Sequence, residues 1–227
     1  MSICNLRASL ALACDYDGTI AHRGVVDAAT VRALERLRDS GRRLFLVTGR
    51  LLQEIERLFP RWSLFDCIVA ENGPVLFDTR TKKKTLLSSG HPDHLVDELR
   101  KRGVKDITVG EVIVAVWREH EPEVVDAIRD ARLDLQLIYN KDSVMMLPPG
   151  VDKMMGLKAA LVGFALSPDR VIAVGDGEND EPLLAGCGCG IAVANAIPEL
   201  KAKADFVTAG ERGEGVVELV QRALGNC

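Results

Sequence analysis

The chain has 227 residues, of which 47% are hydrophobic and 27% are charged, and its formal net charge is −4. That length suits one medium domain or one domain with a smaller insert, and the composition is that of an ordinary soluble globular protein. The charge balance lacks the clustered Lys and Arg of a nucleic-acid surface, and no stretch approaches the roughly 20 apolar residues of a membrane span.

Strand and helix signals alternate over the first 79 residues. Three short apolar runs are predicted as buried strands: Leu10–Cys14, Leu44–Val47 and Cys67–Ala70. Between them, Asp27 or Thr30 can cap a helix that ends at Gly41, and a second helix, Leu51–Phe59, is stopped by Pro60. This order predicts an α/β fold, with a Rossmann-like parallel sheet covered by helices on both faces.

The pattern changes after about residue 80, where a helix followed by two strands is predicted twice over. The predicted elements are helix Pro92–Arg102, strands Ile107–Val109 and Val112–Trp117, helix Pro122–Arg132, and strands Leu135–Tyr139 and Val144–Leu147. Such a repeat predicts a small antiparallel sheet with helices on one side. We therefore expect an inserted α+β subdomain that closes at Gly150.

The strand–helix alternation returns from Val151 onward. The predicted elements are helix Lys153–Leu161, strands Val171–Val174, Ile191–Ala194 and Phe206–Val207, and helix Gly215–Leu224. The core is therefore predicted to be discontinuous. Residues 1–79 and 150–227 would form it, and residues 80–149 would form the insert.

The strongest local motif is Asp15-Tyr-Asp17-Gly-Thr, directly after the first buried strand. Residues two apart in an extended chain point the same way, so both carboxylates can face one site at the carboxyl end of the strand. A hard cation such as Mg²⁺ would relieve their repulsion. A calcium loop is excluded, because it needs Gly and Glu where this chain has Ile20 and Val26. A plain Asp-rich turn stays open for this motif alone.

Two further signals are weaker. Thr48 and Gly49 follow the strand Leu44–Val47, where a hydroxyl and an amide at a helix start can hold a phosphate oxygen. Thr-Gly is also a common connector. Lys153 opens a helix, although the helix dipole favours anions there. A bound phosphate would account for this position, and a surface Lys is the alternative.

The fourth signal is the polar loop Gly175–Asp180, which follows the strand Val171–Val174. Asp176 would complete the metal coordination begun by Asp15, and Asn179 and Asp180 would order metal-bound water and Lys153. All four signals lie at predicted strand ends or helix starts. Their order along the chain would bring them to one cleft.

Together these residues resemble the motif set of the haloacid dehalogenase superfamily of phosphohydrolases. The motifs are D-x-D-G-T from Asp15, then Thr48, then Lys153, then G-D-x-x-N-D from Gly175. The size and position of the insert resemble the Cof-type subgroup with an αββαββ cap, whose short-cap members include archaeal phosphoglycolate phosphatases and sucrose-phosphate phosphatases. The resemblance implies a Mg²⁺-dependent phosphatase for a small phosphorylated metabolite, such as a sugar phosphate or phosphoglycolate.

The resemblance also implies a role for each site residue. Asp15 would be the nucleophile that forms an aspartyl-phosphate, and Asp17 would be the acid and base. Mg²⁺ would be held by the carboxylates of Asp15 and Asp176 and by the main-chain carbonyl of Asp17. The residues implied to hold the substrate phosphate are Thr48, Gly49, Lys153 and Asn179. The residues expected to face the cap and the leaving group are Arg50, Glu71 and Asn72. Asp180 would hold other site residues in place without contacting the substrate.

Other expectations concern partners and location. No nucleic-acid or membrane partner is expected, and the one basic run, residues 82–84, is predicted as a solvated turn. Six cysteines without a C-x-x-C pair favour a reducing cytoplasm, and the chain would be a monomer or homodimer. A phosphomutase acting on sugar phosphates, or a non-catalytic regulatory protein on the same scaffold, stays an alternative function.

Overall fold

The computed structural model describes residues 6–225, which contain one sheet of eight strands and one of four. The strands are β1 (Ala11–Cys14), β2 (Arg43–Val47), β3 (Cys67–Ala70), β4 (Val75–Asp78), β5 (Lys83–Leu86), β6 (Thr108–Val109), β7 (Val114–Trp117), β8 (Gln136–Asn140), β9 (Ser143–Leu147), β10 (Val171–Gly175), β11 (Cys189–Ala192) and β12 (Phe206–Val207). The helices are α1 (Ala28–Asp39), α2 (Leu52–Leu58), α3 (Asp93–Lys101), α4 (Glu121–Asp130), α5 (Lys153–Val162), α6 (Glu181–Gly186), α7 (Pro198–Lys203) and α8 (Arg212–Leu224). Within these residues, no helix has both the length and the apolar character needed to cross a membrane.

The large sheet has the strand order β12-β11-β10-β1-β2-β3-β4-β5. The first six of these strands are parallel, and β4 and β5 add an antiparallel edge. Strand β1 pairs with β10 on one side and β2 on the other, with Cys14 opposite both Val174 and Leu46. The residues that follow these three strands therefore meet at one edge of the sheet.

Helices pack against the large sheet. Asp27, not Thr30, caps α1, since its carboxylate accepts hydrogen bonds from the amides of Ala29 (2.7 Å) and Thr30 (2.9 Å). Helices α1 and α8 pack together, and α5 packs on β2, β3 and β4. Strands β1, β3 and β10 are buried at every position. The predicted α/β fold is confirmed.

The small sheet, which we call the cap sheet, consists of β6–β9 in the order β6-β7-β9-β8, with every pair antiparallel. Helices α3 and α4 pack against one another and share a separate apolar core with the sheet. The buried residues of that core include Leu95, Leu99, Val116, Val124 and Val144. The helix–strand–strand repeat expected from the sequence is present.

Several predicted boundaries were wrong. Strand β7 begins at Val114 rather than Val112, because the amides of residues 112 and 113 donate to a carboxylate of the large sheet's loops instead of to a strand. Strand β11 begins at Cys189, inside the Gly-rich stretch, where residue 189 pairs with Ile172. Strands β4 and β5 were not predicted.

The basic run of residues 82–84 is not entirely a turn. Lys83 and Lys84 lie in β5, an exposed edge strand that pairs with β4. The division into core and insert stays a prediction. This pairing would move its first boundary from residue 79 to a point after Leu86.

Gly156 lets α5 approach the sheet closely. A Cβ at this position would collide with the Gly73 carbonyl oxygen and the Val69 side chain. We expect Gly156→Ala to lower the free energy of unfolding by about 1–3 kcal/mol, because the larger residue would push α5 away. Urea denaturation measures this change.

The matched control is Gly163→Ala at the end of the same helix. A Cβ there would meet only the Ala160 carbonyl oxygen, at 3.5 Å, and the backbone is already helical. We expect a change within about 0.5 kcal/mol. Equal losses in the two variants would contradict this account of α5 packing.

Candidate active site

A cleft of about 320 Å³ lies between the carboxyl edge of the large sheet and the cap sheet. From the large sheet and its loops it is lined by Asp15, Asp17, Thr48, Gly49, Arg50 and Glu54. From the cap sheet and its turns it is lined by Thr108, Ala115, Trp117, Asn140, Lys141, Asp142, Ser143 and Met145. The β8–β9 hairpin, residues 136–147, which we call the cap hairpin, supplies most of the second set.

Lys153 joins two carboxylates at the bottom of the site. Its ammonium lies 2.6 Å from Asp15 Oδ1 and 2.6 Å from Asp180 Oδ1, and its side chain is 1% exposed. Asp152 caps α5 by accepting from the amide of Met155 (2.7 Å), which makes Lys153 the first residue of the helix. The surface-Lys alternative is therefore wrong.

Asp180 also closes the loop that carries Asp176. Its Oδ2 accepts hydrogen bonds from the amides of Asp176 (2.9 Å) and Gly177 (3.0 Å). Asp176 Oδ1 in turn accepts from the hydroxyl of Thr19 (3.3 Å). These bonds tie the loop after β10 to the loop after β1.

Three buried carboxylates from two distant parts of the chain meet in this region. Oxygen atoms of Asp15, Asp176 and Asp180 all lie within 4.8 Å of one another. Asn179 Oδ1, beside Gly177, is buried without a hydrogen-bond partner and is a further unused oxygen. An all-oxygen set of this kind fits a hard divalent cation.

The electrostatics of the carboxylates agree with that fit. Burial is the largest effect on Asp15 and raises its pKa to about 8; Lys153 opposes the shift, and Asp180 and Asp176 add to it. Burial also raises the pKa of Asp176, against the lowering effect of Lys141. A cation among these groups would favour their charged forms.

Asp17 has a different environment from Asp15. Arg50 holds it through Nε to Oδ2 (2.5 Å) and Nη2 to Oδ1 (2.8 Å), and the Asp17 side chain is 40% exposed in the cleft. Arg50 also lies 3.7 Å from Glu54. Of the three residues expected to face the leaving group, Arg50 alone lines the cleft.

Thr48 and Asn179 are supported by a residue behind the cleft. The Thr48 carbonyl accepts from the amide of Asn72 (2.9 Å), and Asn72 Oδ1 accepts from Asn179 Nδ2 (2.9 Å). Asn72 is fully buried and does not line the cleft. The expected leaving-group contact of Asn72 is thus not supported, because its carboxamide supports Asn179 instead.

Glu71 likewise turns away from the cleft. Its Oε1 accepts from the amide of Glu111 (3.0 Å), and its Oε2 accepts from those of Val112 (2.8 Å) and Ile113 (3.0 Å). It is 2% exposed, and a Cβ on Gly110 would lie 2.5 Å from its carboxylate. Both oxygens accept from the β6–β7 turn, so Glu71 faces the cap as expected, whereas the expected leaving-group contact is not supported.

Sequence reasoning missed the cap hairpin's contribution. Lys141 forms an ion pair with Asp176, and Asn195 donates to Asp176 Oδ2 (3.3 Å) and to the Gly18 carbonyl (2.8 Å). The sequence Asn140-Lys141-Asp142 between two strand signals is typical of a hairpin turn. That signal locates the turn but not the loop it touches.

Comparison with known proteins gives the family context. The family model for haloacid dehalogenase-like hydrolases matches residues 12–130 and 116–220. A phosphoglycolate phosphatase of Methanothermobacter thermautotrophicus is 32% identical over 95% of this chain and 99% of its own length. One from Methanoculleus marisnigri is 30% identical over 93% and 95%, respectively.

Solved structures agree on the fold. A haloacid dehalogenase-like hydrolase from Bacteroides thetaiotaomicron superposes with a TM-score of 0.81 at 20% identity, over 94% of this chain and 99% of that one. A sugar phosphatase of subclass IIB of the same superfamily superposes with a TM-score of 0.77 at 20% identity, over 96% and 99%. These likenesses extend over both sheets.

We expect Lys153→Met to lower the free energy of unfolding by about 3–5 kcal/mol without divalent cations, because it leaves two buried carboxylates without the ammonium that pairs with them. Chemical denaturation in EDTA measures the loss. The control is Lys203→Met, which removes an exposed pair with Glu181 and should cost about 0–1 kcal/mol. Similar losses in both variants would show that Lys153 does not hold the carboxylates together.

Proposed function

The chain belongs to the haloacid dehalogenase-like hydrolase family and is a phosphatase, and we propose that it hydrolyses a small phosphomonoester through an aspartyl-phosphate on Asp15. The observation that carries the proposal is the bridge from Lys153 to Asp15 and Asp180, beside Asp176. It presents one buried, oriented carboxylate to the floor of a cleft that is open on its other side.

In the first step, a carboxylate oxygen of Asp15 attacks phosphorus and the bond to the leaving oxygen breaks. Lys153 holds Asp15 Oδ1 at 2.6 Å, so the nucleophile is oriented before the substrate arrives. Thr48 and the Gly49 amide line the same cleft and would donate to the phosphoryl oxygens. Asn179 Nδ2 lies close to Gly49, and the N–H that it does not donate to Asn72 would hold the phosphate.

Asp17 would donate a proton to the leaving oxygen in that step. In the second step it would take a proton from the water that attacks phosphorus, and the bond from Asp15 to phosphorus would break to release phosphate. Arg50 now occupies both carboxylate oxygens of Asp17. Substrate binding would therefore have to draw Arg50 toward an anionic oxygen so that Asp17 can exchange its proton.

Mg²⁺ is the proposed cofactor, held by the carboxylates of Asp15 and Asp176 with the main-chain carbonyl of Asp17. When bound it neutralises charge on the phosphoryl oxygens, which is the main requirement of phosphoryl transfer. Asp180, with one oxygen on Lys153 and the other on two amides, would keep the loop in place around the ion. Removal of divalent cations should abolish turnover.

The relatives and the cleft support a proposal for the substrate class. Phosphoglycolate phosphatases align over nearly the whole chain, and the cleft of about 320 Å³ suits a small ester. We propose phosphoglycolate or a small sugar phosphate as substrate, with the cap sheet acting as a lid that excludes water. A cytoplasmic location, and a monomer or homodimer, are part of the same proposal.

We expect Asp15→Asn to reduce phosphate release from phosphoglycolate by at least roughly a thousandfold, because the amide cannot serve as nucleophile. Phosphate release with Mg²⁺ measures activity, and circular dichroism checks the fold. Asp39→Asn, on the exposed end of α1, is the control and should leave turnover unchanged. Near-normal activity in Asp15→Asn would exclude the covalent mechanism. Formation of an isomer without free phosphate, from a sugar monophosphate and its bisphosphate, would instead indicate a phosphomutase.

We expect Asp17→Asn to separate the two steps. With p-nitrophenyl phosphate, whose leaving group needs little protonation, the variant should release about one equivalent of nitrophenolate quickly and then turn over slowly. With an alkyl phosphate, both steps should slow, by about 10²–10⁴-fold. Stopped-flow absorbance measures the burst, and Asp15→Asn should show none. Absence of a burst in Asp17→Asn, with equal losses on the two esters, would remove Asp17 from the acid–base role.

A further inference from the structure

Lys141 is a basic residue of the cleft whose charge the proposed chemistry does not use. It lies at the tip of the cap hairpin, its side chain is 41% exposed, and its ammonium pairs with the buried Asp176. Among the described residues that line the cleft, the basic side chains are Arg50 and Lys141. Arg50 is engaged by Asp17 and Glu54, and in the proposed reaction it would move to an anionic oxygen of the phosphate.

The main chain of Lys141 is held by one hydrogen bond to a loop of the large sheet and by one within the cap. Its amide donates to Glu178 Oε2 (2.9 Å), and its carbonyl accepts from Arg118 Nη1 (3.2 Å). The neighbouring Asn140 places its Oδ1 so close to Gly177 that a Cβ on residue 177 would collide with this oxygen. The hairpin tip is therefore fixed, and only the flexible four-carbon stem of Lys141 is free to move its charge.

The partner of Lys141 is a carboxylate that the proposed cation would need. Two cations at one carboxylate repel one another, and an ion in a buried site is the stronger competitor because Asp15 also faces it. Metal binding would therefore release the Lys141 ammonium from Asp176. Its stem lines the cleft, so the freed charge would lie on the leaving-group side of the phosphate.

We propose that Lys141 is the specificity-determining residue of this phosphatase, and that it selects phosphomonoesters whose short leaving group carries a carboxylate. An ammonium beside a small cleft binds a carboxylate through a charge-assisted hydrogen bond, whereas a neutral hydroxyl gains much less. The inference rests on the proposed phosphatase function. Beyond that function, it specifies that the leaving group is negatively charged and that Lys141 is the residue that binds this charge.

The experiment compares phosphoglycolate with 2-hydroxyethyl phosphate, a neutral ester of the same length, in Lys141→Met, Lys141→Arg and Lys105→Met. Lys105 is an exposed lysine between α3 and β6 that does not line the cleft, and it provides the matched control. We expect Lys141→Met to lose roughly tenfold or more in kcat/KM for phosphoglycolate only, mainly through KM. Lys141→Arg should recover most of the loss, and Lys105→Met should match the wild type.

Mg²⁺ titration by calorimetry is the second readout and needs no turnover. Lys141→Met should bind Mg²⁺ several-fold more tightly than the wild type and Lys105→Met, because the competing ammonium is gone. Equal losses on both esters, no loss on either, or an unchanged Mg²⁺ affinity would overturn the inference. If the wild type hydrolyses neither ester, the phosphatase proposal fails for these substrates, whereas the titration still decides whether Lys141 competes for Asp176.

Discussion

The site depends on one electrostatic problem, which is the burial of three carboxylates within a few ångströms of one another. Asp15, Asp176 and Asp180 come from two loops that are more than 150 residues apart in sequence, and each is almost fully buried. Without cations this cluster would be strongly unfavourable, because desolvation and mutual repulsion act together. Lys153 supplies one compensating charge from the start of α5, and Lys141 supplies another from the cap hairpin.

That requirement couples the two sheets. The ammonium of Lys153 is fixed by its helix, whereas that of Lys141 arrives on a hairpin of the other sheet. A second link works in the opposite direction, since the Glu71 carboxylate of the large sheet accepts three amide hydrogen bonds from the β6–β7 turn. The cap sheet therefore contacts the large sheet's loops through a carboxylate on one side of the cleft and through an ammonium on the other. Of these two contacts, the proposed metal ion would replace only the ammonium.

Sequence reasoning located the residues whose positions follow from local geometry. Asp15, Thr48 and Asp176 each follow a parallel strand, and Lys153 begins a helix. The alternation of strands and helices in the sequence was therefore sufficient to predict that these residues meet at one edge of the sheet. The failures concern residues whose role depends on packing between distant parts of the chain. Glu71 directly follows β3 at the same edge of the sheet. Its carboxylate nevertheless accepts hydrogen bonds from the β6–β7 turn, some 40 residues later in the chain. Lys141 lies far from every motif, and nothing in the hairpin signal indicates the loop after β10.

Asp15 and Asp17 show how one short motif can place two carboxylates in different environments, each suited to the function proposed for it. Their side chains are two residues apart, but that of Asp15 is 7% exposed beside a buried ammonium and that of Asp17 is 40% exposed beside Arg50. A nucleophile benefits from exclusion of water and a fixed orientation, which burial and Lys153 provide. An acid and base must reach both the leaving oxygen and the attacking water, which only the exposed position allows. The proposed division of roles therefore rests on this difference in exposure. It is accompanied by a sharp turn of the chain directly after Asp17, at Gly18, where φ is +81°.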